Sequence, residues 1–307
     1  MVSEGAFRRL AVVTVLFAYL QIALGGIVRV SGSGLGCPDW PLCNGRPYPP
    51  ANIHSIIEYS HRTVGSITGL LIIATVITAW IVFRKRRPYV AWLATASLIG
   101  VAGEGALGGV VVVSALAPWL VLVHLGLAMI TMGFLLATAV MAMPASAGVP
   151  NVTFRRLAFG ATAATYLLLL TGSTVVASGA DNSCNSWPLC GNGFAFDFTG
   201  ARAFTMLHRG SVLVIGLLLM YVLFTAVRRW RSVDGVRLVA GLGIVAFVLQ
   251  VAVGAGSAIN GDGVFDGLHV ALATLVWAGV LGTALLTLPR ADREPELSRL
   301  AVDRRSA

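Results

Sequence analysis

The sequence predicts an all-α membrane protein: eight transmembrane helices forming two tandem, pseudo-symmetric four-helix bundles, with both the N and C termini cytoplasmic. Three observations lead there. The 307 residues are 57% hydrophobic and only 11% charged, with a mean hydropathy of +0.83, far from the balance of a water-soluble domain. The chain also repeats itself. Cys37, Cys43 and His61 recur as Cys184, Cys190 and His208, each 147 residues later (184−37, 190−43, 208−61), and His124 recurs as His269, 145 later (269−124). Basic residues, finally, crowd the ends of alternate apolar stretches.

Each span is an apolar stretch long enough to cross about 30 Å of hydrocarbon. The first is expected over Leu10–Val28, after Arg8 and Arg9. It is too long for a signal-peptide core and no small-residue cleavage site ends it, so it reads as retained. Val64–Phe83, Tyr89–Val113 and Trp119–Met141 complete the first half, and Leu157–Ala177, Phe204–Val227, Val236–Ile259 and Phe265–Leu288 make the second. The implied domains are 1–148, 149–290 and a charged cytoplasmic tail over 291–307.

Of the 22 Lys and Arg residues, the 17 at positions 8, 9, 84–87, 155, 156, 228, 229, 231, 237, 290, 293, 299, 304 and 305 fall on one side, marking it cytoplasmic. Arg29, Arg46, Arg62, Arg202 and Arg209 fall on the other. This bias accounts for the net charge of +9, so no nucleic-acid partner is expected. The chain reads as a multi-pass protein of the plasma membrane, in contact with membrane lipid.

All four cysteines then lie in extracytoplasmic loops, where thiol pairs persist as disulfides. Spacing and duplication predict Cys37–Cys43 and Cys184–Cys190. Two readings stand open: staples that stiffen the loops, or a redox-active dithiol above the first site.

His61, His124, His208 and His269 are placed within the first turns of spans 2, 4, 6 and 8, all at similar depth near the outer face. Ionisable side chains at membrane depth line a cavity or bind something, and a pair copied with each bundle points to ligation. Two imidazoles on opposing helices suit the axial positions of a haem iron, whereas zinc or copper takes a third or fourth protein ligand, and no such ligand repeats. Arg62 and Arg209, next to His61 and His208, are placed either to meet haem propionates or to snorkel to lipid phosphate. Glycines at 25, 26, 65, 69, 103, 105, 108, 109, 210, 254 and 256 allow close packing around a flat ring.

Glu58 stands three residues before His61, on the same face of a helix that begins that early, while the repeat places Thr205 there (205−58=147). A carboxylate kept in one half only implies a role at one site, against the plainer reading of a solvated interface acid. Glu104 is the other acid at depth, placed for a hydrogen bond within the bundle or a proton relay. His54 reads as a loop residue, as do Asp39, Asp181, Asp262 and Asp266, although Asp266 is one turn from His269 and placed to orient it.

The run from Val28 to Cys43, with Gly32-Ser33-Gly34-Leu35-Gly36 leading into Cys37-Pro38-Asp39-Trp40-Pro41-Leu42-Cys43, and the later Glu58-Tyr59-Ser60-His61-Arg62, resemble the signature of haem A synthase. That family of membrane enzymes converts haem O to haem A for the terminal cytochrome oxidase. The resemblance covers nearly the whole chain. It implies oxidation of the C8 methyl of haem O to a formyl through successive hydroxylations and loss of water. It further implies substrate haem on His61 and His124, resident haem b on His208 and His269, and Glu58 as the catalytic carboxylate. Cys37 and Cys43 become the functional pair, Cys184 and Cys190 the structural one. Haem O synthase, oxidase assembly factors and an electron donor such as a quinone are the implied partners.

Two rivals were weighed. A quinone-linked di-haem b electron-transfer protein accounts for four histidines but not for Glu58 in one half. A transporter or thiol oxidase would gather its ionisable residues near mid-bilayer rather than at one face.

Overall fold

The computed structural model describes residues 2–190, 197–261 and 263–292; Asp262 and the tail from 293 lie outside the described residues. Among these, all regular structure is helical: α1 (Glu4–Val30), α2 (Ile53–Phe83), α3 (Pro88–Val113), α4 (Pro118–Met141), α5 (Val152–Ala177), α6 (Arg202–Arg229), α7 (Val236–Asn260) and α8 (Gly263–Leu286). All eight are long and apolar enough to cross a membrane.

Helix starts follow local chemistry. Ser3, Asn52 and Asn151 cap α1, α2 and α5 by accepting from the N–H groups of Ala6, Ser55 and Phe154, and Pro88 and Pro118 open α3 and α4, where a missing N–H costs nothing. Hydropathy placed the start of the second span at Val64, but the Asn52 cap starts α2 at Ile53, eleven residues earlier (64−53). The reason is that polar residues 54–63 make a poor apolar stretch yet a good amphipathic turn. Glu58 and His61 are therefore helical. The same capping logic extends α1 back to Glu4.

Neighbouring helices close two rings: α1 packs on α2 and α4 with α3 between those two, and α5 packs on α6 and α8 with α7 between them. A seam of α1 on α8, α4 on α5 and α4 on α8 joins the rings. The core lies there, with Met129, Met132 and Leu135 of α4 facing Trp277, Val280 and Leu281 of α8. Glycine sets how closely the seam closes: a Cβ on Gly133 would stand 2.6 Å from the Trp277 ring, and one on Gly26 3.2 Å from Val270.

At one rim the polypeptide is tied across the seam. Arg8 donates to the Ala142 carbonyl, Arg87 to those of Met141 and Met143 and to Asp292, and Ser146 pairs with Arg290 through the backbone. Buried Arg87 and Arg290 thereby satisfy orphan carbonyls at the end of α4 and around its connection to α5.

Within the second ring, a Cβ on Gly279 would sit 2.9 Å from the Gly243 Cα, so backbone meets backbone between α7 and α8. Gly279→Leu is expected to lower the thermal unfolding midpoint of the detergent-solubilised protein by an amount equivalent to about 1–3 kcal/mol of overpacking. Gly160→Leu, at a position with open space around it, leaves the midpoint in place.

Candidate functional site

All four histidines stand six to eight residues beyond the first residue of their helices (61−53, 124−118, 208−202, 269−263). Each ring rests on a glycine of the preceding helix. A Cβ on Gly25 of α1 would lie 3.2 Å from His61, on Gly108 of α3 3.5 Å from His124, on Gly172 of α5 3.0 Å from His208, and on Gly254 of α7 2.8 Å from His269. An alanine at Gly25, Gly172 or Gly254 would press on the imidazole, whereas one at Gly108 would make ordinary contact with it. His61 lies within electrostatic reach of His124, and His208 of His269, so the partners within each half approach one another.

A polar side chain on the glycine-bearing helix accompanies each ring. Gln21, four residues before Gly25, is 3.2 Å from His61 Nε2; Glu104, four before Gly108, is 2.9 Å from His124 Nδ1; Gln250, four before Gly254, meets His269 through its backbone, its own side-chain Oε1 being buried without a partner. The α5 counterpart of Gln21 is Leu168 (168−21=147), and there Thr171 Oγ1 serves instead, 3.0 Å from His208 Nδ1. Buried Nδ1 atoms of His61, His124 and His269 still lack an aligned hydrogen-bond partner. An imidazole beneath a membrane surface does not stay half-satisfied without reason.

The sequence reading missed Gly172, Gln21, Thr171 and Gln250. The repeat offset was the available signal, since Gly25 maps to Gly172 (172−25=147) and Glu104 and Gly108 map to Gln250 and Gly254 (250−104=146, 254−108=146).

Cys37–Cys43 and Cys184–Cys190 are disulfide-bonded. Arg62 holds the first loop: its guanidinium donates to the carbonyls of Cys37, Asp39 and Leu42 and to Glu58 Oε1. Glu58, buried to 3% exposure, also accepts from the Cys37 N–H at 2.8 Å. Arg209 grips the second loop in the same register, at the carbonyls of Cys184, Ser186 and Pro188. The difference is at position 205, where Thr205 turns to the Ala180 carbonyl and Ser183. Trp40 of the first loop packs on Gly109, next to the glycine that carries His124, so this loop roofs the first histidine pair.

Asp39 orders the tip of that loop. It accepts from the N–H groups of Asn44 and Gly45, both at positive φ, and the Gly45 amide first, then Asn44 and nearby Arg62, hold its carboxyl below the usual carboxylate range. His54, expected in a loop, lies in the first turn of α2, because the Asn52 cap starts the helix at Ile53, and its Nδ1 is 3.0 Å from Ser33 Oγ of the first loop; Asp266, likewise expected in a loop, lies in the first turn of α8. Asp266 accepts from Ser257 Oγ and lies within electrostatic reach of His269, while Asp181 faces Arg29 at 3.7 Å. No group of three or more His, Cys, Asp or Glu side chains gathers among the described residues as a bare metal site would need.

Comparison with known proteins adds a decisive observation: the family model described as "COX15-CtaA: Cytochrome oxidase assembly protein" matches residues 8–281. The chain belongs to that family. The family contains similar bacterial proteins named heme A synthase. That of Exiguobacterium sibiricum is 30% identical over 274 residues, covering 85% of this chain and 88% of the relative. That of Shouchella clausii is 27% identical, covering 86% and 92%, and that of Symbiobacterium thermophilum 28%, covering 92% and 96%. Membership in the COX15-CtaA family together with eight apolar helices makes this a multi-pass protein of the plasma membrane.

Two expectations follow for the clamp. Arg62→Ala strands a buried carboxylate and should destabilise the protein by about 3–5 kcal/mol; adding Glu58→Gln should recover part of that loss in a double-mutant thermal-unfolding cycle, and strict additivity would show the pair to be uncoupled. The depressed pKa of Asp39 means its stabilisation of the loop is present above the ordinary carboxylate value of about 3.9 and is lost as pH falls through the lower folded value. Limited proteolysis of the first loop should therefore accelerate only in strongly acidic buffer, and Asp39→Asn should remove that acid-induced step.

Proposed function

We propose that this chain is a haem A synthase, an oxidoreductase that converts the C8 methyl of haem O to a formyl and supplies haem A for the terminal cytochrome oxidase. One observation carries the reading beyond family membership: paired imidazoles, each seated on a glycine, recur in both halves, while a buried carboxylate one helical turn before the first of them, under the disulfide loop, occurs in one. The first half, 1–148, takes haem O as substrate on His61 and His124, and the second, 149–290, takes haem b on His208 and His269. Both termini face the cytoplasm, which sets the histidines near the outer surface.

The residues fit such a ring. Glycine on α1, α3, α5 and α7 lets each imidazole seat between helices, and each ring keeps one nitrogen that no described hydrogen bond takes, Nδ1 of His61 and Nε2 of His124 among them, which could hold an iron. Bound haem b would supply one-electron redox chemistry to the second half. Thr171 holds the His208 ring by Nδ1, so that Nε2 would be the atom to hold a haem iron. Arg62 and Arg209 anchor the loop over each site through Nη1 and Nη2, with Nε–H left for a propionate. Glu58 is the catalytic carboxylate: fixed by the Cys37 N–H and Arg62, it holds and moves a proton beside the methyl being oxidised. Its position beneath the Cys37–Cys43 loop makes that disulfide the one tied to turnover. Oxidase assembly factors, haem O synthase and a quinone-type donor are partners proposed on the resemblance.

Pigment extraction from cells that make haem O and express this chain should yield haem A. Glu58→Gln should keep bound haem and lower haem A formation by about 10²–10⁴-fold, the usual worth of a positioned proton-transfer group; wild-type conversion by that variant removes Glu58 from the chemistry. His208→Ala or His269→Ala should abolish the b-type spectrum of the purified protein, and full haem retention in both would overturn the second-half assignment.

A further inference from the structure

The duplication pairs Glu104 of α3 with Gln250 of α7, and both occupy the same place, one turn before the glycine under a histidine of the following helix (108−104=4, 254−250=4). The two rings therefore receive different partners. His124 Nδ1 stands 2.9 Å from Glu104 Oε2, with side-chain exposures of 27% and 14%, whereas the Gln250 side chain leaves its Oε1 without a partner and His269 has the Gln250 backbone and, within electrostatic reach, Asp266. Glu104 has no second claim on it: its Oε1 is buried without a partner, and the His124 Nδ1 contact is close yet unaligned, so that rotation of the imidazole brings its N–H onto the carboxylate. A buried acid at this depth, unpaired except for one imidazole, is costly unless that imidazole donates to it.

We propose that Glu104 is a positioning residue for the first histidine pair: it takes the Nδ1–H of His124 directly, aims Nε2 into the space shared with His61, and gives that imidazole anionic character. The inference rests on the reading of these histidines as axial ligands of a porphyrin iron. A carboxylate on the far nitrogen makes an imidazole a stronger donor and favours the ferric over the ferrous state. Gln250 accepts through a neutral amide oxygen or donates through its nitrogen, and does neither job as strongly. The substrate side is thus built to be the more reducing of the two sites.

The test uses full-length protein in detergent, loaded with haemin as the probe, with haem per chain measured beside an optical redox titration and low-temperature EPR. In Glu104→Gln the first-half haem should remain bound, but its ferric-to-ferrous ratio at fixed potential should fall about tenfold, equivalent to roughly 59 mV for one electron, with altered low-spin g-values and an unmoved second-half haem. Glu104→Asp should recover part of that shift. Gln250→Glu, which does not depend on the first half folding normally, should move the second-half haem the opposite way. Unchanged potentials and g-values in both Glu104→Gln and Gln250→Glu would overturn the proposal while leaving the haem sites standing. Wild-type protein that takes up no haemin in its first half would overturn the underlying reading instead.

Discussion

The structure depends on seating four imidazoles at membrane depth. An imidazole is wider than the gap between two closely packed helices and carries two nitrogens that hydrocarbon cannot satisfy. Glycine on the facing helix solves the first problem, and a polar side chain one turn earlier addresses the second. Gln21 with Gly25 and Glu104 with Gly108 repeat this arrangement at one spacing, and Gln250 stands at that same spacing from Gly254 but meets His269 through its backbone. On α5 the polar group has moved to Thr171, adjacent to Gly172. The apolar faces of the same helices are left to pack or to meet lipid, so the requirement of the rings sets which residues look inward.

Above each histidine pair the loop is held by an arginine rather than by its own packing. Arg62 and Arg209 bond to carbonyls in the same register, Cys37 with Asp39 and Cys184 with Ser186. These connections span 31–52 and 178–201 without helix among their described residues, and a guanidinium with several fixed donors orders such backbone. Duplication preserved the arginine and lost the acid, for Thr205 bonds locally where Glu58 bonds the arginine. The two roofs share an anchor and differ in charge.

Much of this was legible in the sequence. Eight apolar stretches gave the spans, because hydrocarbon thickness imposes one length on every crossing; the repeat gave the cysteine pairs and the four histidines. The start of α2 was not legible from hydropathy, since His54, Glu58 and Arg62 dilute the signal that Asn52 capping overrides. Gln21, Thr171, Gly172 and Gln250 escaped for another reason. Glutamine, threonine and glycine are ordinary in membrane helices, and only their alignment against a histidine on a different helix marks them. Arg62 suggested a ligand contact from its place beside His61, yet its described bonds are to a loop whose path no local pattern announces.

The contact of Gly26 with Val270 at the seam has a consequence for how the halves communicate. Gly26 is bonded to Gly25, on which His61 rests, and Val270 is bonded to His269. From one imidazole to the other the way consists of two peptide links and two van der Waals steps. On the proposed haem reading the two halves therefore stand back to back, and a charge crossing between them would need neither a mobile carrier nor a domain movement.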